Sequence, residues 1–333
     1  MYSFRNRLII SDPLAARDKE PRFSLSDDSG SEIVELLGPN AEDPIDHALE
    51  LRLRGSGFVS REAAIDAGKL WRDRVTVAFA HYEKGIEIGL DVSTDEPSWG
   101  YGQPYFIFQR GRVNRDTPQL TVFPTNNEPP SSVAGGEGVV AHPVQTFING
   151  PLGWVKRRDC HLRDQQRLAY KLFHATHFDS NPESKYILLF TGIEALIPKR
   201  FRVEPIRKML RQLRTYLETL NDTQESPKES VRRLLTYKEN ESIRYRGRNW
   251  VQLLDDCTFD AMTAEDYFLR AYDTRNSLAH GNVDRPTPES LNTQIPELRR
   301  YLLALLDMDV FGELMPGLMA YNQDGSIIPE AAP

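Results

Sequence analysis

The chain has 333 residues, 40% of them hydrophobic and 27% charged, with a formal net charge of −7. That length admits two domains with a core each, and the acidic balance argues against an indiscriminate nucleic-acid binder. No apolar run reaches membrane-spanning length, and Met1-Tyr2-Ser3-Phe4-Arg5 lacks the apolar core of a secretory signal, so a cytoplasmic protein without a membrane partner is expected.

Read in chain order, residues 1–60 contain short strand-like runs at Arg7–Ile10, Ile33–Leu37 and Leu49–Leu53, separated by turn-rich stretches. Ser60 is placed to cap a helix through about Tyr82, with Ala63, Ala64, Ala67, Leu70 and Trp71 on its apolar stripe. Alternating Ile86, Ile88 and Leu90 after Gly85, then Tyr105–Phe108 and Leu120–Phe123, read as further strands. Residues 124–151 are rich in Pro, Gly, Asn and Ser and read as a linker, with a domain boundary near 150. From His161 onward the pattern is helical. Leu162–Phe178 is one helix, and Asn181-Pro182-Glu183 starts the next, which runs to Pro198. Pro205–Leu220 and Lys228–Leu235 are amphipathic. Thr263, with Asp266 three residues on, starts a helix that Gly281-Asn282 would end. Thr287-Pro288-Glu289 opens the last long segment, which Pro296 should interrupt, and a poorly ordered tail follows Gly317. The expected organisation is an α+β domain of unknown role, with a sensory or regulatory one as a candidate (1–150), a helical domain (151–315) and a flexible tail (316–333).

Charge divides unevenly between the two parts. Residues 1–150 carry 15 Lys+Arg against 22 Asp+Glu, and residues 151–333 carry 26 against 26. The basic residues of the second part are clustered. Lys199-Arg200-Phe201-Arg202 with Arg207, Lys208, Arg211 and Arg214 is one cluster. Arg244-Tyr245-Arg246-Gly247-Arg248-Asn249-Trp250, interleaved with aromatics, is another. Cations beside stacking surfaces suit single-stranded RNA, and the plainer alternative is a solvated helix face and an exposed loop.

The segment with most chemistry is Arg275-Asn276-Ser277-Leu278-Ala279-His280. Histidine moves protons near neutral pH, arginine matches phosphate oxygens, and Asn276 can hold either partner. An Arg-x4-His pair arises often enough by chance to decide nothing alone. Five residues on a regular helix also leave Arg275 and His280 roughly 140° apart, so they meet only if the helix distorts or a second subunit completes the site. The alternative is a solvated Arg275 and a His280 favoured by the helix C-terminus.

Arg275-Asn276-x3-His280 resembles the Arg-polar-x3-His signature of the HEPN superfamily, all-α ribonucleases and their relatives in toxin–antitoxin, abortive-infection and CRISPR-linked systems. Tyr186–Pro198, reading YILLFTGIEALIP, is similar to the apolar helix with an embedded EAL of the ApeA-like branch. The resemblance covers about residues 155–310. It implies a dimerising helical bundle with two signature helices facing each other across a basic cleft. By it, Arg275 and His280 would be catalytic, Asn276 supporting, and Glu194 an acidic residue of the upstream helix. Some members of the superfamily have lost activity and serve as binding modules.

Other residues carry competing readings. Glu194 in an apolar helix either faces solvent or pairs with a cation, Arg275 being a candidate. His174 and His177, three apart on a helix, are either half a metal site or a packed pair, and packing is favoured because only Asp179 lies nearby as a further ligand. Cys160 and Cys257 are isolated thiols, as in a reducing compartment, and no metal or cofactor signature is present. Two functions follow. One is a metal-independent endoribonuclease acting on RNA as a homodimer, in antiphage defence or a toxin-like role with a phage-derived or antitoxin partner; Arg244, Arg246, Arg248, Lys199 and Arg200 would bind the RNA. The other is a non-catalytic module binding a nucleotide, RNA or protein. A helical structural protein with a chance motif is the blandest alternative.

Overall fold

The computed structural model of the chain describes residues 1–15, 21–26, 31–39, 44–94, 119–128, 142–220, 225–280 and 285–316. The expected strand Tyr105–Phe108, the glycines 135–138, the cap at Gly281-Asn282 and the tail after Gly317 lie outside those residues.

An antiparallel-rich sheet forms the first part. Its strands are β1 (Tyr2–Ile10), β3 (Arg22–Ser24), β4 (Ile33–Leu37), β5 (Glu50–Phe58), β6 (Ile86–Glu87), β7 (Leu90–Thr94) and β8 (Gln119–Pro124). Their spatial order is β3-β4-β5-β1-β8-β7, with β6 also paired to β1, and only β7 and β8 run parallel. β2 (Leu14–Ala15) pairs with β9 (His142–Pro143) in a separate two-stranded ladder. Ile33–Leu37 is a strand over the expected residues. The first strand is longer than its apolar pattern suggests. Ser3, Arg5, Asn6 and Arg7 are polar yet buried, because distant residues satisfy them: Arg5 pairs with Glu128 at 3.1 Å and Arg7 with Glu50 at 2.7 Å.

Helix α1 (Arg61–His81) begins where Ser60 accepts the amide of Ala63. Its buried stripe is rotated from the expected one: Ala64, Gly68, Trp71 and Val75 are buried, while Ala63, Ala67 and Leu70 lie at the margin. The closest approach to the sheet is at Gly68, where a Cβ would stand 2.6 Å from Leu120. A second face of α1, with Val77 and Ala80, belongs to the core of the helical part. The helix is therefore sandwiched, and a single-stripe reading misplaces its centre. Two buried polar contacts fasten it to the helices. Asp73 accepts from Arg167 at 2.9 and 3.0 Å and from the Leu162 amide at 3.0 Å, and His81 Nε2 lies 2.8 Å from Asp307.

Of the stretch read as a linker, Pro124 ends β8, His142–Pro143 is β9, and the chain turns helical from Val144. It forms α2 (Val144–Phe147), a π turn (Ile148–Leu152) and α3 (Gly153–Lys156). Val144, Phe147 and Leu152 pack into the sheet-side core, and Trp154 and Val155 into the helix-side core. Burial of these five apolar side chains outweighs the Gly-Pro composition here.

The helical part comprises α4 (Asp164–Phe178), α5 (Pro182–Leu196), α6 (Glu204–Thr219), α7 (Glu225–Lys238), α8 (Ile243–Trp250), the small hairpin β10 (Thr258–Phe259) and β11 (Met262–Thr263), α9 (Ala264–His280) and α10 (Pro288–Phe311). Asn181 caps α5 with Pro182 in the first turn, and Thr287 caps α10. Pro296 does not interrupt α10. Ile295 and Leu298 on either side of it are buried, and tertiary burial offsets the roughly 3 kcal/mol intrinsic cost of an interior proline. Gly312, at φ 72°, closes α10 in the left-handed region. The chain is thus an α/β part with an antiparallel sheet followed by a helical part, joined through α1. Among the described residues no helix is long and apolar enough to cross a membrane.

Candidate functional site

Helix α9 carries the signature segment. Its start is fixed locally: Thr263 Oγ1 accepts the Asp266 amide at 3.1 Å and donates to the Asp266 carboxylate at 2.9 Å. Tyr267, Phe268, Ala271 and Leu278 are its buried side chains beyond the first residue. They seat it against α5, where the Phe190 ring packs tilted against Phe268 and edge-on to Tyr272, with centroids 5.8 and 5.9 Å apart. On the other side α8 approaches so closely that a Cβ on Gly247 would stand 2.1 Å from Phe268.

This packing directs Arg275 toward α5. Its Nη2 donates to Glu194 Oε2 at 2.9 Å, and its Nη1 donates to Asn276 Oδ1 at 3.1 Å. The side chains are 25% and 13% exposed for Arg275 and Glu194, so the pair is held mostly out of water. Burial raises the Glu194 carboxyl above its ordinary range, and Arg275 opposes that rise. The other Glu194 oxygen and Arg275 Nε are buried without a hydrogen-bond partner. Of the two readings of Glu194, solvent exposure or pairing with a cation, the contact is the second, with Arg275 as the cation.

His280 is elsewhere. It is the last residue of α9 and is exposed, beyond the buried Leu278. The helix runs unbroken from Arg275 to His280, so the roughly 140° separation of a regular helix stands. One copy of the chain brings together Arg275, Asn276 and Glu194, and leaves His280 outside that group.

The segment 244–250, considered as an exposed loop, is helix α8, started by Ser242 accepting the Tyr245 amide. Its arginines are engaged. Arg244 donates to Asp273 at 2.7 Å and lies over the Tyr272 ring, Arg246 donates to the Pro198 carbonyl at 2.7 Å, and Arg248 donates to Glu265 at 2.5 Å. Asp273 and Glu265 belong to α9, so these contacts tie α8 to the signature helix. Sequence reading missed both acids as partners, although they lie on the segment already singled out. Lys199 and Arg200 are exposed at the root of α6, and Arg207, Arg211 and Arg214 are paired with Glu204 or Glu239.

His174 and His177 are packed. His174 Nε2 lies 3.0 Å from the Thr76 carbonyl, and its Nδ1 accepts the Ile86 amide at 3.4 Å. Burial pushes its pKa down to about 4, and burial with Arg299 nearby pushes that of His177 down to about 2. Both nitrogens of His174 are thereby occupied by backbone. Among the described residues no cluster of three or more His, Cys, Asp or Glu side chains could hold a metal ion. Cys160 and Cys257 are free and buried, and burial lifts the Cys160 thiol to about 12. Compared with protein-family models, curated proteins and solved structures, the chain matches none.

Proposed function

We propose that the chain is a metal-independent endoribonuclease of the HEPN type that works as a homodimer. The observation that carries the reading is the segment Arg275-Asn276-x3-His280 on one helix, with Arg275 oriented by Glu194 and His280 open to solvent at the helix end. An arginine held by a carboxylate keeps a fixed fork for a phosphoryl oxygen. An exposed histidine is accessible for proton transfer. In the proposed reaction the RNA 2′-oxygen attacks the adjacent phosphorus in line while losing its proton to a general base. The 5′-oxygen leaves with a proton from a general acid, giving a 2′,3′-cyclic phosphate and a 5′-hydroxyl. His280 serves as base or acid, Arg275 stabilises the charge on the phosphoryl oxygens, and Asn276 positions one of them. A second copy supplies the histidine that the first cannot bring to its own arginine. Lys199 and Arg200 are the cations best placed to track the RNA backbone, since Arg244 and Arg248 already have carboxylates. The biological setting we propose, by resemblance, is antiphage defence or a toxin-like role, with the sheet-bearing part as the sensor of a phage-derived or antitoxin partner.

One observation favours a second reading. Arg275 spends two of its donors within the chain, as an arginine with a structural role does. A non-catalytic module that binds RNA, a nucleotide or a protein fits that arrangement. Cleavage of a labelled single-stranded RNA pool in EDTA, wild type against His280→Ala, separates the two. Cutting by wild type alone with cyclic-phosphate ends is the expected result. Equal cutting by both proteins would remove His280 from the mechanism, and RNA binding without cutting by either would favour the module.

A further inference from the structure

Helices α6 and α7 stand apart from the rest of the molecule in how little they bury. Leu217 is the one buried residue of α6 and Lys228 the one buried residue of α7. They pack on each other, and their root is a backbone ladder in which Phe201 bridges Asn240 and Arg202 donates to the Glu239 carbonyl at 2.9 Å. Of the fifteen large apolar side chains exposed among the described residues, ten lie between Phe201 and Tyr245, so the apolar surface is concentrated here.

The pattern of that surface is specific. Ile206, Met209, Leu213 and Tyr216 are spaced three, four and three residues apart, the spacing of a coiled-coil seam, and fall within an arc of about 80° on α6. Val231, Leu234 and Tyr237 make a shorter stripe on α7. Exposures run from 41% to 68% across these seven side chains. With roughly 150–200 Å² for a large apolar side chain, they offer on the order of 700 Å² per copy, close to the ~800 Å² per partner of a stable interface.

The flanks say what covers the seam. The neighbours of the α6 stripe are Leu210 and Leu217 on one side and the uncharged Gln212 and Thr219 on the other. Arg207, Arg211, Glu204 and Glu218 point to the far side of the helix, where Arg207 and Arg211 pair with Glu204, and Glu218 pairs with Arg232 of α7. Lys208 and Arg214 lie about 80° beyond the two edges of the stripe, outside those uncharged neighbours, and Arg214 pairs with Glu239. An uncharged seam with heptad spacing fits a helix with the same seam, and two such hairpins close a four-helix bundle about a two-fold axis.

We infer that the α6–α7 hairpin is a dimerisation element, and that its occupant is the same hairpin of a second copy of this chain. The inference shares its second copy with the proposed homodimer: a single-chain wild type overturns both, whereas a variant that remains a dimer overturns this inference alone.

The test is sedimentation of the full chain over a range of micromolar concentrations, wild type against Met209→Glu/Leu213→Glu. Both positions are exposed, so far-UV circular dichroism should be unchanged. The expected result is two associated chains for wild type and one for the variant. A wild type that sediments as a single chain at every concentration overturns the inference, as does a variant that remains a dimer. Should the double variant lose helical signal, Tyr216→Ser reads the same surface without adding charge. About tenfold weaker self-association is expected from losing a central aromatic anchor, and unchanged association overturns the assignment.

Discussion

Arg275 on α9 and Glu194 on α5 form a 2.9 Å ion pair that joins the signature helix to the apolar helix before it. Desolvation works against the pair, since burial raises the Glu194 carboxyl before Arg275 lowers it. The pair therefore holds a geometry more than it adds net stability. Glu194→Ala should destabilise the chain by about 2 kcal/mol, because it leaves a mostly buried guanidinium without its carboxylate. The double variant Glu194→Ala/Arg275→Ala should lose about 1 kcal/mol less than the sum of the single variants. Urea unfolding of the four proteins gives this coupling directly, and additive losses would show that the two side chains do not depend on each other.

The two basic clusters should behave differently toward RNA. Lys199 and Arg200 are exposed at the root of α6, whereas Arg248 is held by Glu265 and Arg244 by Asp273. A cation already neutralised by a carboxylate releases few counterions when RNA binds. Lys199→Ala/Arg200→Ala should lower the salt-dependence slope by about 1.4, at about 0.7 per phosphate contact on a single strand. Arg248→Ala should leave the slope unchanged. Affinity for a single-stranded oligonucleotide across a salt series measures both, and a larger slope change for Arg248→Ala would reverse the assignment of the two clusters.

Local chemistry was legible in the sequence, and long-range chemistry was not. Ser60, Asn181, Thr263 and Thr287 each cap a helix where expected, because a cap is a bond between a side chain and a backbone amide two or three residues away. The short strand-like run Ile33–Leu37, bounded by turn-rich stretches, was enough for a strand. The polar start of β1 was not, since Arg5 and Arg7 are buried on account of Glu128 and Glu50, which nothing nearby announces. Pro296 reads locally as a break and is overruled by the buried side chains around it. At the site, a lone carboxylate in an apolar helix was enough to pose two readings for Glu194, solvent or a cation such as Arg275, and the contact itself decides between them. The consumption of Arg244 and Arg248 was hidden because their acids lie 29 and 17 residues away, on another helix.

The last prediction concerns acid. His174 sits where α4 meets α1 and β6, accepting the Ile86 amide on Nδ1 and facing the Thr76 carbonyl with Nε2. That pair of contacts requires the neutral ring with its proton on Nε2. Burial depresses its pKa from 6.5 to about 4, although contacts with the Thr76 and Lys84 backbone oppose the shift. His177, depressed in the same direction, and the cations Lys84 and Arg299 face the same region and add to the cost of a further positive charge. The unfolded chain takes up the His174 proton near 6.5 and the folded chain only near 4. The contribution of His174 is therefore fully present above 6.5 and is lost as pH falls from 6.5 toward 4, by about 3 kcal/mol in all. Urea midpoints of wild type should drop over that window more steeply than those of His174→Gln, which keeps a donor and an acceptor but does not titrate. Parallel pH profiles for the two proteins would mean that carboxylates, and not this latch between sheet and helices, set the acid limit of the fold.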